Sequence, residues 1–217
     1  MRFLAALLAY TSVCTGWSPQ SPQPSRKRTV RRASDAAWQD FWEDLAARPE
    51  IRDAWRRAPC VLKGIAPADA LALDALTAAV DADPSTLDDA ARVAHGATQG
   101  WTNVALDDAA RPSRRLRASS SSASVLLNHG GVAFPSLLGG ACRAALDAFE
   151  QPVGLNVYLT GDQVEKAAPA HTDRQEVFVV QCSGAKRWRV FAPPHPPLEP
   201  DADPFARGKG TDVLDER

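Results

Sequence analysis

Residues 176–182 read EVFVVQC, and this run restricts the fold more than any other part of the chain. It is short, rich in β-branched and aromatic side chains, and nearly continuous in its apolar character. Such a run predicts a strand buried on both faces. A buried strand needs sheet neighbours, and the flanking sequence offers them. GLNVYLT (154–160) alternates, with Asn156 and Tyr158 on one face and Val157 and Leu159 on the other. KRWRVF (186–191) follows a small-residue turn at Ser183, Gly184 and Ala185, and it also alternates. Lys186, Trp188 and Val190 share one face; Arg187, Arg189 and Phe191 share the other. SVLLN (124–128) and CVLKG (60–64) read as two further strands.

Helices precede these strands. Ser34 caps a helix whose apolar face is Trp38, Phe41, Trp42 and Leu45. Pro49 interrupts it, and a short second helix with Ile51 and Trp55 ends before Pro59. PADALALDALTAAVDADP (67–84) is a helix between two prolines, offering Leu71, Leu73, Leu76 and Val80 to a core. FPSLLGGACRAALDAFEQ (134–151) is another, despite Gly139 and Gly140. Residues 85–124 have no clear period, and RPSRRLRASSSSAS (111–124) reads as a solvated basic loop or as a nucleic-acid contact. Helices first and antiparallel strands last predict an α+β chain, a helical lead-in to a β-sandwich or barrel.

The formal net charge of −1 hides an asymmetry. Arg2, Arg26, Lys27, Arg28, Arg31 and Arg32 lie in an acid-free N-terminus, and the remainder carries 19 basic and 26 acidic side chains. That acidic body offers no obvious nucleic-acid surface. MRFLAALLAYTSVCTGWSP has the layout of a secretory signal peptide, too short to span a membrane as a helix. The Ser/Pro/Arg-rich stretch SPQSPQPSRKRTVRRAS after it resembles a transit peptide, and the pair resembles the two-part plastid address of algae with secondary plastids, with Trp17 at the expected aromatic position. The competing reading is an ordinary signal peptide for the secretory pathway with a basic linker. Residues 1–33 are therefore set apart as a targeting segment, and residues 34–217 as the folded domain, in which no segment is predicted to span a membrane. Cys14, Cys60, Cys142 and Cys182 are widely spaced and form neither a disulfide framework nor a zinc motif.

APAHTDRQ precedes the apolar run, and on an extended segment His171 and Asp173 face the same way. Imidazole plus carboxylate with open positions suits non-heme Fe(II) once a second histidine joins. Lys186 can then present an ammonium to a carboxylate ligand. The plainer reading is a hairpin with polar ends and a lysine in water.

NVYLT followed by APAHTDRQEVFVVQCSGAKRWRVF resembles the JmjC-type ribosomal oxygenases, with Phe178, Gln181, Gly184, Lys186 and Trp188 all on motif positions. DFWEDLAARPE is a fainter match to that family's lead-in. The resemblance implies a cupin-type double-stranded β-helix, or jelly roll, after the N-terminal helices. It implies Fe(II) and 2-oxoglutarate as cofactors, with His171 and Asp173 as iron ligands and Lys186 holding the far carboxylate of 2-oxoglutarate. Asn156 and Tyr158 would line the co-substrate pocket, although a satisfied core Asn and a packed Tyr explain them equally. Trp188 and Phe178 are expected in the core. The implied activity is hydroxylation of a protein side chain, such as a histidine of a ribosomal protein, with histone lysine demethylation as the alternative. The implied partners are a protein substrate and a second copy of the chain, with no direct nucleic-acid or membrane contact. The family's nuclear or nucleolar setting competes with the plastid address.

The third iron ligand of such enzymes is a histidine on a later strand. Only 44 residues follow Asp173, and His95, His129 and His195 do not fall on the motif. The jelly roll is therefore expected to be incomplete at the C-terminus, and the 217-residue chain to be inactive alone. A non-catalytic cupin-like binding module is the rival from another class. A secreted carbohydrate-binding cupin would carry disulfides, which the cysteine spacing does not favour.

Overall fold

A computed structural model describes residues 3–11, 33–55, 57–67, 71–84, 91–94, 101–103, 113, 114, 116, 123–162, 164, 165, 167, 168, 173 and 176–191. The chain is α+β. Its elements are β1 (Phe3–Thr11), α1 (Ala33–Ala47), α2 (Pro49–Ala54), α3 (Leu73–Ala82), β2 (Ala91–Ala94) and β3 (Trp101–Asn103). These are followed by β4 (Ser124–Leu127), α4 (Gly130–Ala133), α5 (Pro135–Phe149), β5 (Val153–Gly161) and β6 (Glu176–Gln181). The strands form one antiparallel sheet in the order β3-β2-β4-β5-β1-β6.

Period-2 sorting gives the sheet two chemically distinct faces. Leu155, Val157 and Leu159 of β5 are buried on one face. Register places Val125 opposite Leu159 and Leu127 opposite Val157, so β4 adds to the same layer. Phe178 and Val180 of β6 continue it. Helix α1 lays Trp38, Phe41, Trp42 and Leu45 onto this side, all buried as their spacing predicts. Phe178 meets Trp42 edge-on at 5.8 Å and Phe149 at 4.9 Å between ring centroids, and Trp55 stacks on Phe149 at 6.3 Å. These are favourable aromatic geometries, and they fasten β6 to the helices. Pro49 opens α2 and separates it from α1. Leu71, Leu76 and Val80 are buried and Leu73 is half-buried, as the pattern between the prolines predicts.

Four local expectations need correction. Residues 60–64 form no strand; Val61 is exposed, and Gly64, at φ 72, ends the stretch after five residues. Residues 186–191 form no strand with any of the described residues, and Trp188 is exposed rather than in the core. The run 176–182 is not buried on both faces: Val177 and Val179 are each 37% exposed, because β6 lies at the end of the sheet with helices on one side. The serine-rich loop is not wholly solvated. Ser113 is buried, its N–H and hydroxyl donate to Asp81 at 3.1 and 2.7 Å, and Leu116 is buried too.

The N-terminal segment holds the largest difference. Phe3–Thr11, set outside the fold by its signal-like pattern, runs as a strand between β5 and β6, pairing with Val153–Gly161 on one side and Glu176–Gln181 on the other. An apolar run of this length suits a central strand as well as it suits a signal peptide, and composition alone does not separate the two. No helix among the described residues is long and apolar enough to cross a membrane.

Candidate functional site

The sheet face opposite the helices carries Asn156 and Tyr158, as the alternation of β5 predicts. After β6 the chain turns sharply. The Gln181 side chain donates from Nε2 to the Ser183 carbonyl at 2.7 Å, and Gly184 adopts φ 67, a conformation that glycine takes without a Cβ clash. This turn carries Lys186 to β5, where its Nζ lies 5.7 Å from the centre of the Tyr158 ring. The ammonium is half-buried against an aromatic face, an attractive arrangement for a cation. Burial pushes its pKa down from 10.5 to about 8. A lysine desolvated in this way gains from an anion that replaces its lost water.

Asn156 has a second role that the sequence did not disclose. Its Oδ1 accepts the main-chain N–H of His129 at 3.0 Å, so β5 is tied to the turn between β4 and α4. His129 is exposed and left-handed, at φ 53 and ψ 37. The dipeptide Gly130-Gly131 after it was the available signal, since paired glycines mark close backbone approach.

Asp173 is half-buried and forms a single-residue bridge. Its carboxylate is a donor of the type that Fe(II) accepts. His171 and His195 lie outside the described residues, as does His95. Among the described residues no three His, Cys, Asp or Glu side chains gather into a metal site. The structure therefore brings Tyr158 and Lys186 together, places Asn156 on the same face as Tyr158, and leaves the geometry of the His171–Asp173 pair undrawn.

A concavity of about 760 Å³ lies between α1 and α5 on the helix side, lined by Asp35, Gln39, His129, Cys142 and Arg143 among others. Burial raises the Cys142 thiol to about 11, which keeps it protonated and unreactive near neutrality.

Residues 141–214 match the JmjC domain. That stretch is similar to a JmjC domain, and partial matches to NO66 proteins point to the ribosomal-oxygenase type. The chain is 48% identical over 54 residues to the bifunctional lysine-specific demethylase and histidyl-hydroxylase NO66 of Drosophila mojavensis, covering 25% of this chain and 6% of that protein. The NO66 of Drosophila grimshawi is 46% identical over 59 residues, 27% of this chain and 8% of its own length. That of Drosophila sechellia is 37% identical over 75 residues, 35% and 10% respectively. The chain thus spans under a tenth of the length of these first two relatives. No solved structure matches the chain.

Proposed function

We propose that this chain belongs to an Fe(II)- and 2-oxoglutarate-dependent oxygenase that hydroxylates a protein side chain, and that its described part builds the co-substrate end of the site. The observation that carries this reading is the Lys186 ammonium, half-buried over the Tyr158 ring on the face that also carries Asn156. A 2-oxo dicarboxylate offers that cation its distal carboxylate. The JmjC match and the names of the NO66 relatives support the chemistry.

In this reading His171 and Asp173 hold the metal, with a further histidine from a later strand of a cupin-type jelly roll. Iron bound there would let dioxygen oxidise 2-oxoglutarate to succinate and CO2, with one oxygen atom entering succinate and the other reaching a substrate carbon as hydroxyl. The protein's own contribution is positional: Asp173 offers a carboxylate, Lys186 fixes the far end of the co-substrate, and Tyr158 screens that cation from water. A histidine of a ribosomal protein is the proposed substrate, and a methylated histone lysine the alternative, since both activities stand in the relatives' names. Homodimerisation and plastid import through residues 1–33 are proposed alongside.

The test is succinate release with Fe(II), ascorbate, dioxygen and a histidine-bearing ribosomal-protein peptide, and turnover is expected. Asp173→Ala is expected to abolish the signal. A methyl-lysine histone peptide that yields formaldehyde instead would select the demethylase. No succinate and no 2-oxoglutarate binding would leave the non-catalytic binding module.

A further inference from the structure

Gly140 sits inside α5, where a glycine costs a helix stability relative to alanine. The structure shows what the missing side chain allows. A Cβ on Gly140 would collide with the Asp35 carboxylate, so the glycine lets a charged group of α1 lie against the α5 backbone. The first turn of α1 is a favourable place for an acid, but that accounts for the charge of Asp35 and not for its seat on α5. Arg143 follows Gly140 by three residues on the same helix face, about 4.5 Å further along the axis. Asp35, Gly140 and Arg143 all line the concavity of about 760 Å³ between the two helices. Asp35 is half-buried and Arg143 exposed, and neither side chain forms an ion pair or a hydrogen bond with another of the described residues. Two opposite charges therefore border one space without neutralising each other.

The rest of the lining is largely apolar or small. Val132 is exposed, Val153 half-buried and Leu155 buried, and all three border the same space. Its volume lies within the roughly 300–1,000 Å³ of sites that take small molecules. We propose that this concavity binds a free amino acid with an apolar side chain: its ammonium meets Asp35, its carboxylate meets Arg143, and its side chain packs on Val132, Val153 and Leu155. An amino acid carries both charges around one carbon, which suits partners one helical turn apart. A dianion satisfies Arg143 but meets Asp35 with like charge, and a simple amine does the reverse. A zwitterion satisfies both, through charge-assisted hydrogen bonds and the planar fork of the guanidinium. The site lies on the helix side of the sheet, away from the face that carries Tyr158 and Lys186, and does not depend on what that face binds.

The experiment titrates the isotopically labelled full chain with leucine, N-acetylleucine and leucinamide, and follows the amide signals of α1 and α5. Leucine is expected to saturate them with a dissociation constant of about 1 mM or tighter. Capping either end removes one charge-assisted partner and is expected to weaken binding about tenfold or more. Asp35→Asn is expected to weaken leucine about tenfold while binding N-acetylleucine no less than the parent does. Arg143→Gln is expected to show the same pattern with leucinamide. These crossed losses assign each charge of the ligand to one side chain, which a general loosening of the two helices would not do. Both variants are expected to keep the thermal midpoint of the parent, since each replaces a charge by an amide of similar size. Three results would overturn the proposal. No shift at about 10 mM leucine would mean that the two side chains close on each other in solution. Equal binding of all three ligands would mean that only the apolar wall is read. Equal loss of all three in both variants would mean that Asp35 and Arg143 support the fold and not a ligand.

Discussion

Lys186 reports its surroundings through its proton. Its ammonium is disfavoured by burial, so the native chain releases that proton near pH 8 while the unfolded chain holds it to about 10.5. Between those values the unfolded state binds more protons, and the lysine's contribution to stability rises with pH. Lys186→Met is therefore expected to be more stable than the parent below pH 8, with the gap closing as pH climbs to 10.5. Denaturant midpoints measured across that range check it; a constant gap would mean that the ammonium keeps its water. Binding runs the other way. Affinity for 2-oxoglutarate is expected to be flat below pH 8 and to fall about tenfold per unit above it, as the cation is lost. At the opposite side of the sheet, Trp42 is fully buried and its Nε1 has no hydrogen-bond partner among the described residues. Trp42→Phe leaves a small cavity costing roughly 1 kcal/mol and removes an orphan donor whose desolvation costs about 1–3 kcal/mol, so a near-neutral or stabilising change is expected. Trp42→Ala is expected to cost about 3–5 kcal/mol. Chemical denaturation of both variants separates packing from polarity.

Elements with a full turn-to-turn pattern were legible, and those that depend on partners were not. The spacing of Trp38, Phe41, Trp42 and Leu45 predicts α1 because a helix buries its own stripe whatever lies beyond it. KRWRVF alternates just as clearly, yet a strand exists only where a neighbour accepts its hydrogen bonds, and among the described residues none does at 186–191. Glycine meaning is likewise contextual. Gly139 and Gly131 look alike in sequence, but a Cβ on Gly139 meets nothing closer than 3.8 Å whereas one on Gly131 meets sulfur at 2.4 Å. Gly139→Ala is thus expected to stabilise α5 by about 0.4–1 kcal/mol. Gly131→Ala is expected to destabilise by about 1–3 kcal/mol through overpacking. Opposite shifts in thermal midpoint are the readout, and two shifts of the same sign would mean that the α4–α5 contact yields.

For the whole molecule, the candidate site depends on how β6 is held, and β6 is reached through β1. Register runs from Phe3 opposite Gly161 to Thr11 opposite Val153 on one side, and from Ala6 opposite Gln181 to Thr11 opposite Glu176 on the other. Within the described sheet β5 and β6 do not pair directly. The sequence cannot disclose this arrangement, since the same apolar run satisfies a signal peptide. The two uses exclude each other at any moment: a segment threaded through a targeting machinery is not hydrogen-bonded in a sheet. Loss of β1 leaves β6 anchored by Phe178 among Trp42, Trp55 and Phe149, with its described ladder gone. Amide exchange in residues 176–181 should then approach the rate of local opening, while α1 and α5, whose backbone bonds are internal, stay protected. The comparison is between the full chain and one beginning at residue 33. If the amides of 176–181 stay equally protected in the shorter chain, β5 closes on β6 without help and the N-terminal strand is dispensable to the fold. If protection is lost, a synthetic peptide of residues 1–12 added in trans is expected to restore it, because the gap accepts a strand by main-chain bonding and not by covalent connection.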